Sequence, residues 1–372
     1  MKENLNNKKI VFCGGHHTSA LPIIDEIVER DLYKIIFIGR KKAFNDDKND
    51  SLEFLDINKR KIKFYDLKTG KFYGKNPLNF LKIIWGFFQA IFILISERPR
   101  LIVSFGGYIA APVVLAGFIL RIPIITHEQT VVTGFGNKFI SFFANKVLVT
   151  WSNSIKYFDE MKTEVIGLPI RNALLEKPKK LFELNKKLPT IFITCGKTGS
   201  HIINEFILNN LNDILQNYNV IHQAGDYSVT NDYQNLKFVY ESLNKKDLGN
   251  YHLFKFMFDE EVASAFISCD FIVSRSGAHT VYEILHFKKK AILIPIPWVS
   301  FNEQYLNAKI VHNLGLGLIL EEDSLNYDNF ISYAKRILVK DNIDTSEIDK
   351  IIKLDAKKLF IDEISRQLQE KK

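Results

Sequence analysis

Short apolar runs alternate with longer segments of helical periodicity along most of the chain. A run that is apolar at every position predicts a strand buried on both faces, and the longer segments predict helices that cover the sheet. In the first half, the pattern predicts strands at 9–13, 34–39, 101–105, 123–126 and 146–150, helices at 20–31, 77–96, 110–120 and 137–144, and a loop at 41–60.

The same alternation restarts in the second half, with strands predicted at 190–195, 219–223, 236–239, 271–274 and 291–294. Repeated strand–helix units are typical of parallel sheets. The charged stretch 169–188 is poorly periodic and suits a linker. We therefore expect an α/β protein with two doubly wound, Rossmann-like domains facing a cleft, at 1–168 and 189–372, and a C-terminal helix that can pack back on the first domain. Ligands of such domains bind outside the carboxyl ends of the strands.

Composition narrows the class of protein. The chain has 372 residues, 47% hydrophobic and 25% charged, which is typical of a folded protein of two domains. Its cysteines, Cys13, Cys195 and Cys269, lack metal-ligand spacing, which favours a reducing compartment without disulfides or structural zinc. No apolar leader precedes the first strand, which favours the cytoplasm. The net charge of +8 favours an anionic partner, but no nucleic-acid recognition motif is present and no nucleic-acid partner is expected.

The helix predicted at 77–95 is apolar almost all the way round, and Pro77 suits its first turn. At ~1.5 Å per residue, its apolar part is shorter than the ~30 Å core of a bilayer, and it carries Lys82, which argues against a membrane span. Two interpretations stay open: a helix packed on the sheet with surplus apolar surface, or an interfacial patch in which Trp85 enters an anionic bilayer. Basic residues that could meet the head groups are Lys71, Lys75, Lys82, Arg98 and Arg100.

The segment 271–283 combines a buried strand, a tight turn at Gly277 and a helix that opens near His279 and Thr280. Unpaired backbone N–H groups at a helix start attract phosphate. Glu283, one turn later, could accept hydrogen bonds from the two hydroxyls of a ribose. The segment therefore predicts a nucleotide-binding turn, and an ordinary structural turn with a solvated glutamate is the alternative.

Further glycine turns follow other predicted strands. The first contains Gly14, Gly15 and the titratable His16, for which a capping or surface role is the alternative to catalysis. Others lie at 104–108, at 127–137 and at 195–200, where the sequence predicts a second phosphate-cradling loop. Neither a nucleotide-triphosphate loop nor a dinucleotide fingerprint has the required spacing here. Each of these turns taken alone could be structural.

Taken together, these segments resemble one family over nearly the whole chain: the MurG-type N-acetylglucosaminyltransferases of peptidoglycan synthesis, which make lipid II from lipid I. The set is highly specific. The matching segments are Phe105-Gly-Gly-Tyr-Ile for F-G-G-Y, His127-Glu-Gln for H-E-Q-N, Gly134-Phe-Gly-Asn137 for G-x-x-N, Gly167-Leu-Pro-Ile-Arg171 for G-N-P-V-R, Arg275-Ser-Gly-Ala-His-Thr-Val-Tyr-Glu283 for R-x-G-A-x-T-x-x-E, and Pro295-Ile-Pro297, Asn302-Glu-Gln304 and Asn307-Ala308 for P-x-P…H-Q…N-A.

The resemblance implies a GT-B fold and inverting, metal-independent transfer of N-acetylglucosamine from UDP-N-acetylglucosamine to an undecaprenyl-diphosphate-linked sugar, without a cofactor. No Asp-x-Asp occurs in the chain, which is consistent with metal-independent transfer. The resemblance also implies a peripheral protein on the cytoplasmic face of the plasma membrane, and the helix at 77–95, by its own apolar and basic residues, is the expected contact with the anionic surface.

The resemblance further assigns residues by position. His16 would be the catalytic base. On the donor side, Glu283 would hold the ribose, His279 and Thr280 the diphosphate, Phe258 the uracil, and Gln304 and Asn307 the sugar, with Arg171, Lys197, Thr198, Gly277 and Ala278 completing the site. The acceptor side would comprise Gly14, Gly15, Tyr108, His127, Glu128, Thr130 and Asn137.

Three positions depart from the family's pattern. The turn Gly14-Gly15-His16 is three residues shorter than the family's G-G-T-G-G-H, Thr130 replaces an asparagine, and Lys197-Thr198 replaces Ser-Gln. Three alternatives therefore stay open: a related glycosyltransferase acting on another glycolipid, a UDP-N-acetylglucosamine 2-epimerase, and a non-catalytic protein that binds a nucleotide sugar.

Overall fold

The computed structural model describes residues 8–42, 50–70, 77–176, 178–196, 199–225, 229–246, 248–340, 343 and 345–370. Contacts divide the chain into two compact units. The first comprises Met1–Ile170 with Lys353–Lys372, and the second comprises Arg171–Ile352. The domain boundaries and the linker expected from the sequence stay a prediction.

The first unit is built on seven parallel strands in the order β3-β2-β1-β4-β5-β6-β7. They are β1 (Lys9–Cys13), β2 (Lys34–Gly39), β3 (Lys63–Asp66), β4 (Leu101–Ser104), β5 (Ile124–Glu128), β6 (Lys146–Val149) and β7 (Thr163–Val165). The helices between them are α1 (His17–Glu29), α2 (Leu52–Lys59), α3 (Pro77–Glu97), α4 (Gly107–Ile119) and α5 (Phe135–Phe143). The direction of winding reverses between β1 and β4, and open α/β sheets bind ligands at such a switch point.

Strand β1 shows why these apolar runs become central strands. Val11 and Cys13 belong to the core on one face of the sheet, Ile10 and Phe12 belong to the core on the other, and all four are fully buried. Each fully buried side chain of the size of Ile or Phe contributes roughly 1.5–3 kcal/mol relative to an exposed one. Because both faces are covered, the strand needs no polar positions.

The second unit repeats the architecture with six parallel strands in the order β10-β9-β8-β11-β12-β13. The strands are β8 (Thr190–Thr194), β9 (Asn219–Gln223), β10 (Tyr251–Phe254), β11 (Phe271–Ser274), β12 (Lys290–Leu293) and β13 (Gly317–Ile319). The helices are α6 (Asn172–Leu175), α7 (His201–Asn217), α8 (Asp232–Ser242), α9 (Asp259–Ser268), α10 (Ala278–His286), α11 (Glu303–Asn313), α12 (Tyr327–Leu338) and α13 (Ser346–Ile351). The switch point of this sheet lies between β8 and β11.

The last helix, α14 (Ala356–Glu370), returns to the first unit and packs on α1 and β4. Phe360 and Ile364 are fully buried there, and the rings of Phe360 and Phe105 stack with centroids 5.6 Å apart. The end of the chain therefore contributes to the core formed around its beginning.

Two of the expected elements are wrong. Residues 236–239, expected as a strand, lie inside α8, where only Leu236 is buried. The expected loop at 41–60 contains α2, which begins where the Ser51 hydroxyl accepts a hydrogen bond from the N–H of Phe54 at 3.2 Å. The edge strands β3, β7, β10 and β13 were not expected. The first three carry polar and half-buried residues, and β13 is only three residues long. Within the part of the chain that the structure describes, no helix has both the length and the apolar character required to cross a membrane.

Candidate active site

In the second unit, the strand–turn–helix expected at 271–283 is present. Strand β11 ends at Ser274, and α10 begins at Ala278 with Gly277 as its N-cap. Asn307 of α11 is fully buried and donates from Nδ2 to the carbonyl of Ser276 at 3.1 Å, which fixes the turn. The Oγ of Ser276 and the Oδ1 of Asn307 are buried without a hydrogen-bond partner among the described residues. A helix start with such atoms beside it suits an anionic, hydroxyl-rich ligand.

Arg275 connects the loops that surround this turn. Its Nε donates to Ser200 Oγ at 3.0 Å, its Nη1 donates to the carbonyl of Ile294 at 3.1 Å, and its Nη2 lies 2.5 Å from a carboxylate oxygen of Glu322. These partners follow β8, β12 and β13, respectively. Arg275 therefore holds the loops at one edge of the sheet together. In the sequence analysis Arg275 appeared only as the first residue of a motif, and no role was predicted for it.

Arg171 and Glu283 form an ion pair next to the turn. Arg171 Nη2 donates to Glu283 Oε1 at 3.0 Å, and its Nη1 donates to Asp259 Oδ1 at 2.7 Å. Burial alone would lower the pKa of Arg171, but the two carboxylates outweigh that effect and raise its pKa. Glu283 is itself buried, so the guanidinium compensates a carboxylate that would otherwise be costly to remove from water. Asp259 was absent from the sequence-based site.

The other expected donor residues differ in accessibility. Phe258 precedes α9 as its N-cap and is 77% exposed. His279 and Thr280 are half-buried in the first turn of α10. Gln304 Oε1 accepts a hydrogen bond from the N–H of Ile296 at 3.1 Å, which fixes the segment after β12. Lys197 and Thr198 lie outside the described residues.

In the first unit, the expected glycine turn follows β1 at the switch point. Gly14 has a φ of +131°, and a Cβ there would lie 2.8 Å from the carbonyl oxygen of Gly106. The N–H of Gly15 donates to that same oxygen at 3.1 Å. The turn after β1 is therefore packed directly against the turn after β4, which only glycine at position 14 allows.

His16 is the N-cap residue of α1, but its side chain makes no capping hydrogen bond. Taken as a whole residue, His16 is exposed. Its pKa is lowered to about 4, first because neighbouring protein atoms keep water away from the charged ring and then by the neighbouring His17. The ring is therefore neutral near pH 7, which is the protonation state that a general base requires.

Behind this turn, Glu128 at the end of β5 is buried in a network of hydrogen bonds. Its Oε1 accepts from the N–H of Thr130 at 3.0 Å and from the Thr130 hydroxyl at 2.9 Å. Its Oε2 accepts from Asn137 Nδ2 at 3.0 Å, and Asn137 Oδ1 accepts from Thr126 at 2.8 Å. Thr130 thus still binds Glu128, although it replaces the amide that the family's pattern has at this position.

His127, next to Glu128, is 2% exposed. Burial lowers its pKa to about 4, and the nearby His16 contributes in the same direction. Its Nε2 lies 3.2 Å from the carbonyl of Gly167, and its Nδ1 has no hydrogen-bond partner among the described residues. Tyr108 lies elsewhere in the site, and its hydroxyl accepts a hydrogen bond from Arg40, a residue that sequence reasoning missed.

Comparisons with known proteins identify the class and then the family. Residues 13–149 match the Glycosyltransferase family 28 N-terminal domain, and residues 190–364 match the Glycosyltransferase family 28 C-terminal domain. The chain is 31% identical, over 364 residues, to the UDP-N-acetylglucosamine–N-acetylmuramyl-(pentapeptide) pyrophosphoryl-undecaprenol N-acetylglucosamine transferase of Clostridium botulinum. This similarity covers 93% of this chain and 97% of the relative.

Solved structures show the same fold. The crystal structure of Acinetobacter baumannii MurG aligns with a TM-score of 0.72 at 21% identity and covers 96% of this chain and 99% of that chain. A putative UDP-N-acetylglucosamine 2-epimerase from Listeria monocytogenes aligns with a TM-score of 0.64 at 11% identity, over 98% of each chain. At these identities, both similarities show the fold alone.

The two sheets and the two matched domains define a glycosyltransferase with the GT-B fold. The chain belongs to the MurG-type family of N-acetylglucosaminyltransferases, as its sequence resemblance predicted. The fold class expected from the sequence is confirmed.

Proposed function

We propose that this protein transfers N-acetylglucosamine from UDP-N-acetylglucosamine to lipid I and so forms lipid II. The observation that carries the proposal is the helix start at Gly277 with the Arg171–Glu283 pair beside it, in a chain whose relatives carry the name of this reaction. Glu283 binds the ribose hydroxyls through its carboxylate. Because a carboxylate is an acceptor with two oxygens, it can hold Arg171 and a hydroxyl at the same time.

The sugar is transferred in a single displacement with inversion. A hydroxyl of the acceptor attacks the anomeric carbon, the bond from that carbon to the diphosphate oxygen breaks, and UDP leaves with the electron pair. His16 takes the proton of the attacking hydroxyl because its ring is neutral. The N–H groups at the start of α10, around His279 and Thr280, stabilise the charge that develops on the diphosphate. No metal ion is required in this scheme.

The protein docks on an anionic membrane through the first unit. Helix α4 packs against α3 on one side and against α5 on the other. We define the aromatic face as the exposed aromatic side chains of these three helices: Trp85, Phe88, Phe92, Phe118, Phe139 and Phe142. Phe92 is 74% exposed and Phe142 is 70% exposed. An apolar surface of this kind is typical of a membrane contact when basic residues surround it.

The basic residues around the aromatic face include Lys82 on α3, Arg121 after α4 and Lys138 on α5, all of them exposed. Arg98 and Arg100 follow α3 and are exposed as well, whereas Lys71 and Lys75 lie outside the described residues. The proposal places the protein at the cytoplasmic face of the plasma membrane, where anionic lipids attract lysine and arginine.

One assay tests the reaction. The protein is incubated with labelled UDP-N-acetylglucosamine, with and without lipid I, and both UDP release and labelled lipid are measured. We expect both products only when lipid I is present, and the same rate in excess EDTA. Isomerised sugar without acceptor would support the epimerase instead, and donor binding without turnover would support a non-catalytic protein. Transfer to a different glycolipid but not to lipid I would replace the acceptor in the proposal.

Two variants test the assigned roles. His16→Ala removes the base and Glu283→Ala removes the ribose contact, so each should lower the transfer rate by roughly 100-fold or more. A near-normal rate in either variant would remove that residue's role.

A further inference from the structure

Arg40 and Tyr108 form a bridge across the end of β1. Arg40 directly follows β2, Tyr108 lies in the first turn of α4 after β4, and Arg40 Nη1 donates to the Tyr108 hydroxyl at 2.6 Å. Because β2 and β4 are the two neighbours of β1, this hydrogen bond crosses the position where β1 ends and the Gly14–Gly15 turn begins. Strands are ~4.8 Å apart, so two long side chains can meet over the central one. The guanidinium is thus placed beside the glycine turn.

The backbone of Arg40 is held in place by two hydrogen bonds. Its N–H donates to Glu53 Oε2 at 2.9 Å, and its carbonyl accepts from Ser51 Oγ at 2.6 Å. Glu53 is 7% exposed, and burial raises its pKa to about 8. At pH 7 the Glu53 carboxyl is therefore mostly protonated and uncharged. It contributes little negative charge next to the positive charge of Arg40.

Other polar side chains near the shortened turn are directed elsewhere. His17 Nε2 lies 3.3 Å from a carboxylate oxygen of Asp56, and the Ser19 hydroxyl donates to Gln129. The ammonium of Lys41 lies over the ring of Phe54, 4.8 Å from its centroid. Arg40 differs from these residues because its side chain points back over the sheet edge to the switch point, where ligands of such sheets bind.

We propose that Arg40, oriented by Tyr108, binds the diphosphate of the polyprenyl-linked acceptor and replaces contacts that the shortened glycine turn cannot make. This inference rests on the proposed function for the nature of the acceptor. A guanidinium matches phosphate oxygens with a planar fork of N–H donors, and it has five of them, so the hydrogen bond to Tyr108 can fix the group while it binds. The starts of α1 and α4 flank the same turn and add partial positive charge.

The test compares Arg40→Gln with a matched control, Lys41→Gln, which removes the same charge one residue away. The KM for lipid I and the KM for UDP-N-acetylglucosamine are measured for both variants, together with the binding of farnesyl diphosphate and farnesyl monophosphate. We expect Arg40→Gln to raise the KM for lipid I roughly 10- to 100-fold, as for the loss of a charge-assisted hydrogen bond, and to change the donor KM by less than about 3-fold. The Arg40→Gln variant should also bind farnesyl diphosphate no more tightly than farnesyl monophosphate. Lys41→Gln should change neither property.

Two further variants separate binding from folding. Arg40→Lys keeps the charge without the fork and should recover part of the acceptor affinity, while Tyr108→Phe should raise only the KM for lipid I. If Arg40 only stabilises the fold, these variants will lower the unfolding temperature and leave the ratio of the KM for lipid I to the KM for UDP-N-acetylglucosamine unchanged. That result would overturn the inference.

The outcomes also separate this inference from the proposed function. If the wild-type protein transfers sugar to lipid I and Arg40→Gln leaves its KM unchanged, the inference about Arg40 fails and the function stands. If farnesyl diphosphate binds in an Arg40-dependent manner but no sugar is transferred to lipid I, the proposed function fails and the diphosphate site stands.

Discussion

At the scale of the residue, Glu283 distinguishes a nucleotide site from a structural turn. Glu283→Gln keeps the shape of the side chain but removes the charge that pairs with Arg171. We expect kcat/KM for UDP-N-acetylglucosamine to fall roughly 10- to 100-fold, because a hydrogen bond from the ribose to a charged acceptor is lost. Steady-state kinetics with the donor as the varied substrate measures this change.

Asp259→Asn provides the matched control, because Asp259 contacts the same guanidinium but its side chain is 51% exposed. Its substitution should change kcat/KM by less than about 5-fold, since exposed ion pairs contribute little. If both substitutions have equal effects, the ion-pair network as a whole matters and Glu283 has no separate contact with the ribose.

The protonation of His16 predicts the pH dependence of the transfer. A base must be unprotonated, and the pKa of His16 is lowered to about 4, so the ring stays neutral as the pH falls from 7 to 5. Protonation of His16 should therefore lower kcat/KM only below about pH 5. At still lower pH, kcat/KM should fall about tenfold per pH unit. The profile is measured with circular dichroism at each pH to show that the protein is folded. An inflection near pH 6.5 that disappears in His16→Ala would contradict the lowered pKa.

Part of this residue-scale picture could be predicted from the sequence. Gly277, His279 and Glu283 are close in the chain, and a strand followed by glycine and a helix predicts their proximity. The partner of Glu283 could not be predicted in the same way, because Arg171 is 112 residues away in the chain and the contact depends on how the start of α6 lies against α10. The Arg40–Tyr108 hydrogen bond has the same origin, with 68 residues between its partners.

At the scale of the element, the turn after β1 depends on one glycine and tolerates change at the next. In Gly14→Ala the new Cβ would lie 2.8 Å from the backbone of Phe105 and of Gly106, at a φ of +131°. We expect a loss of roughly 1–3 kcal/mol in the free energy of unfolding, because the backbone of both turns must shift. Urea denaturation of the purified variant measures the change.

Gly15→Ala is the control for this prediction, because a Cβ at position 15 would meet no heavy atom of the described residues within 4 Å, its two chain neighbours apart. Its free energy of unfolding should stay within about 0.5 kcal/mol of the wild-type value. Equal destabilisation by both substitutions would show that the two turns are not in direct contact.

The elements themselves were predictable where the local pattern and the packing agree. Strand β1 was expected with its observed bounds because its four residues after Lys9 are all apolar and glycine follows them. The strand predicted at 236–239 is wrong, because Leu236, Phe238 and Val239 have the apolar pattern of a strand but lie on helix α8. Phe238 is 73% exposed there. Helix α2 was missed because its apolar residues do not mark one buried face: only Glu53 and Ile57 are buried, whereas Leu52 and Leu55 are exposed.

At the scale of the whole molecule, the two units repeat one topology and differ in what they expose. Both sheets have the strand order of a doubly wound fold, and in each the glycine-containing turns follow the strands at the switch point. The aromatic face belongs to the first unit, whose acceptor in the proposed reaction is a lipid. A membrane contact on that unit brings the protein to the surface where its acceptor resides, so the two parts of the proposed function support each other.

This arrangement predicts that membrane binding depends on the aromatic face and leaves the chemistry intact. The double variant Phe88→Ser/Phe92→Ser keeps Trp85 as a fluorescent reporter and removes two exposed rings. We expect its affinity for anionic vesicles to fall at least roughly tenfold, since each buried ring contributes about 1.5–3 kcal/mol. Sedimentation with vesicles and the blue shift of Trp85 emission measure binding, and transfer to detergent-dispersed lipid I should remain near the wild-type rate.

Phe238→Ser is the matched control, because Phe238 is as exposed as Phe92 but lies on α8 of the second unit. It should bind vesicles as the wild-type protein does. Binding should also weaken on vesicles without anionic lipid and at high salt, because Lys82, Arg121 and Lys138 contribute through their charge. If the double variant sediments like the wild-type protein, or if Phe238→Ser loses binding to the same extent, the aromatic face is not the membrane contact and the exposed rings need another partner.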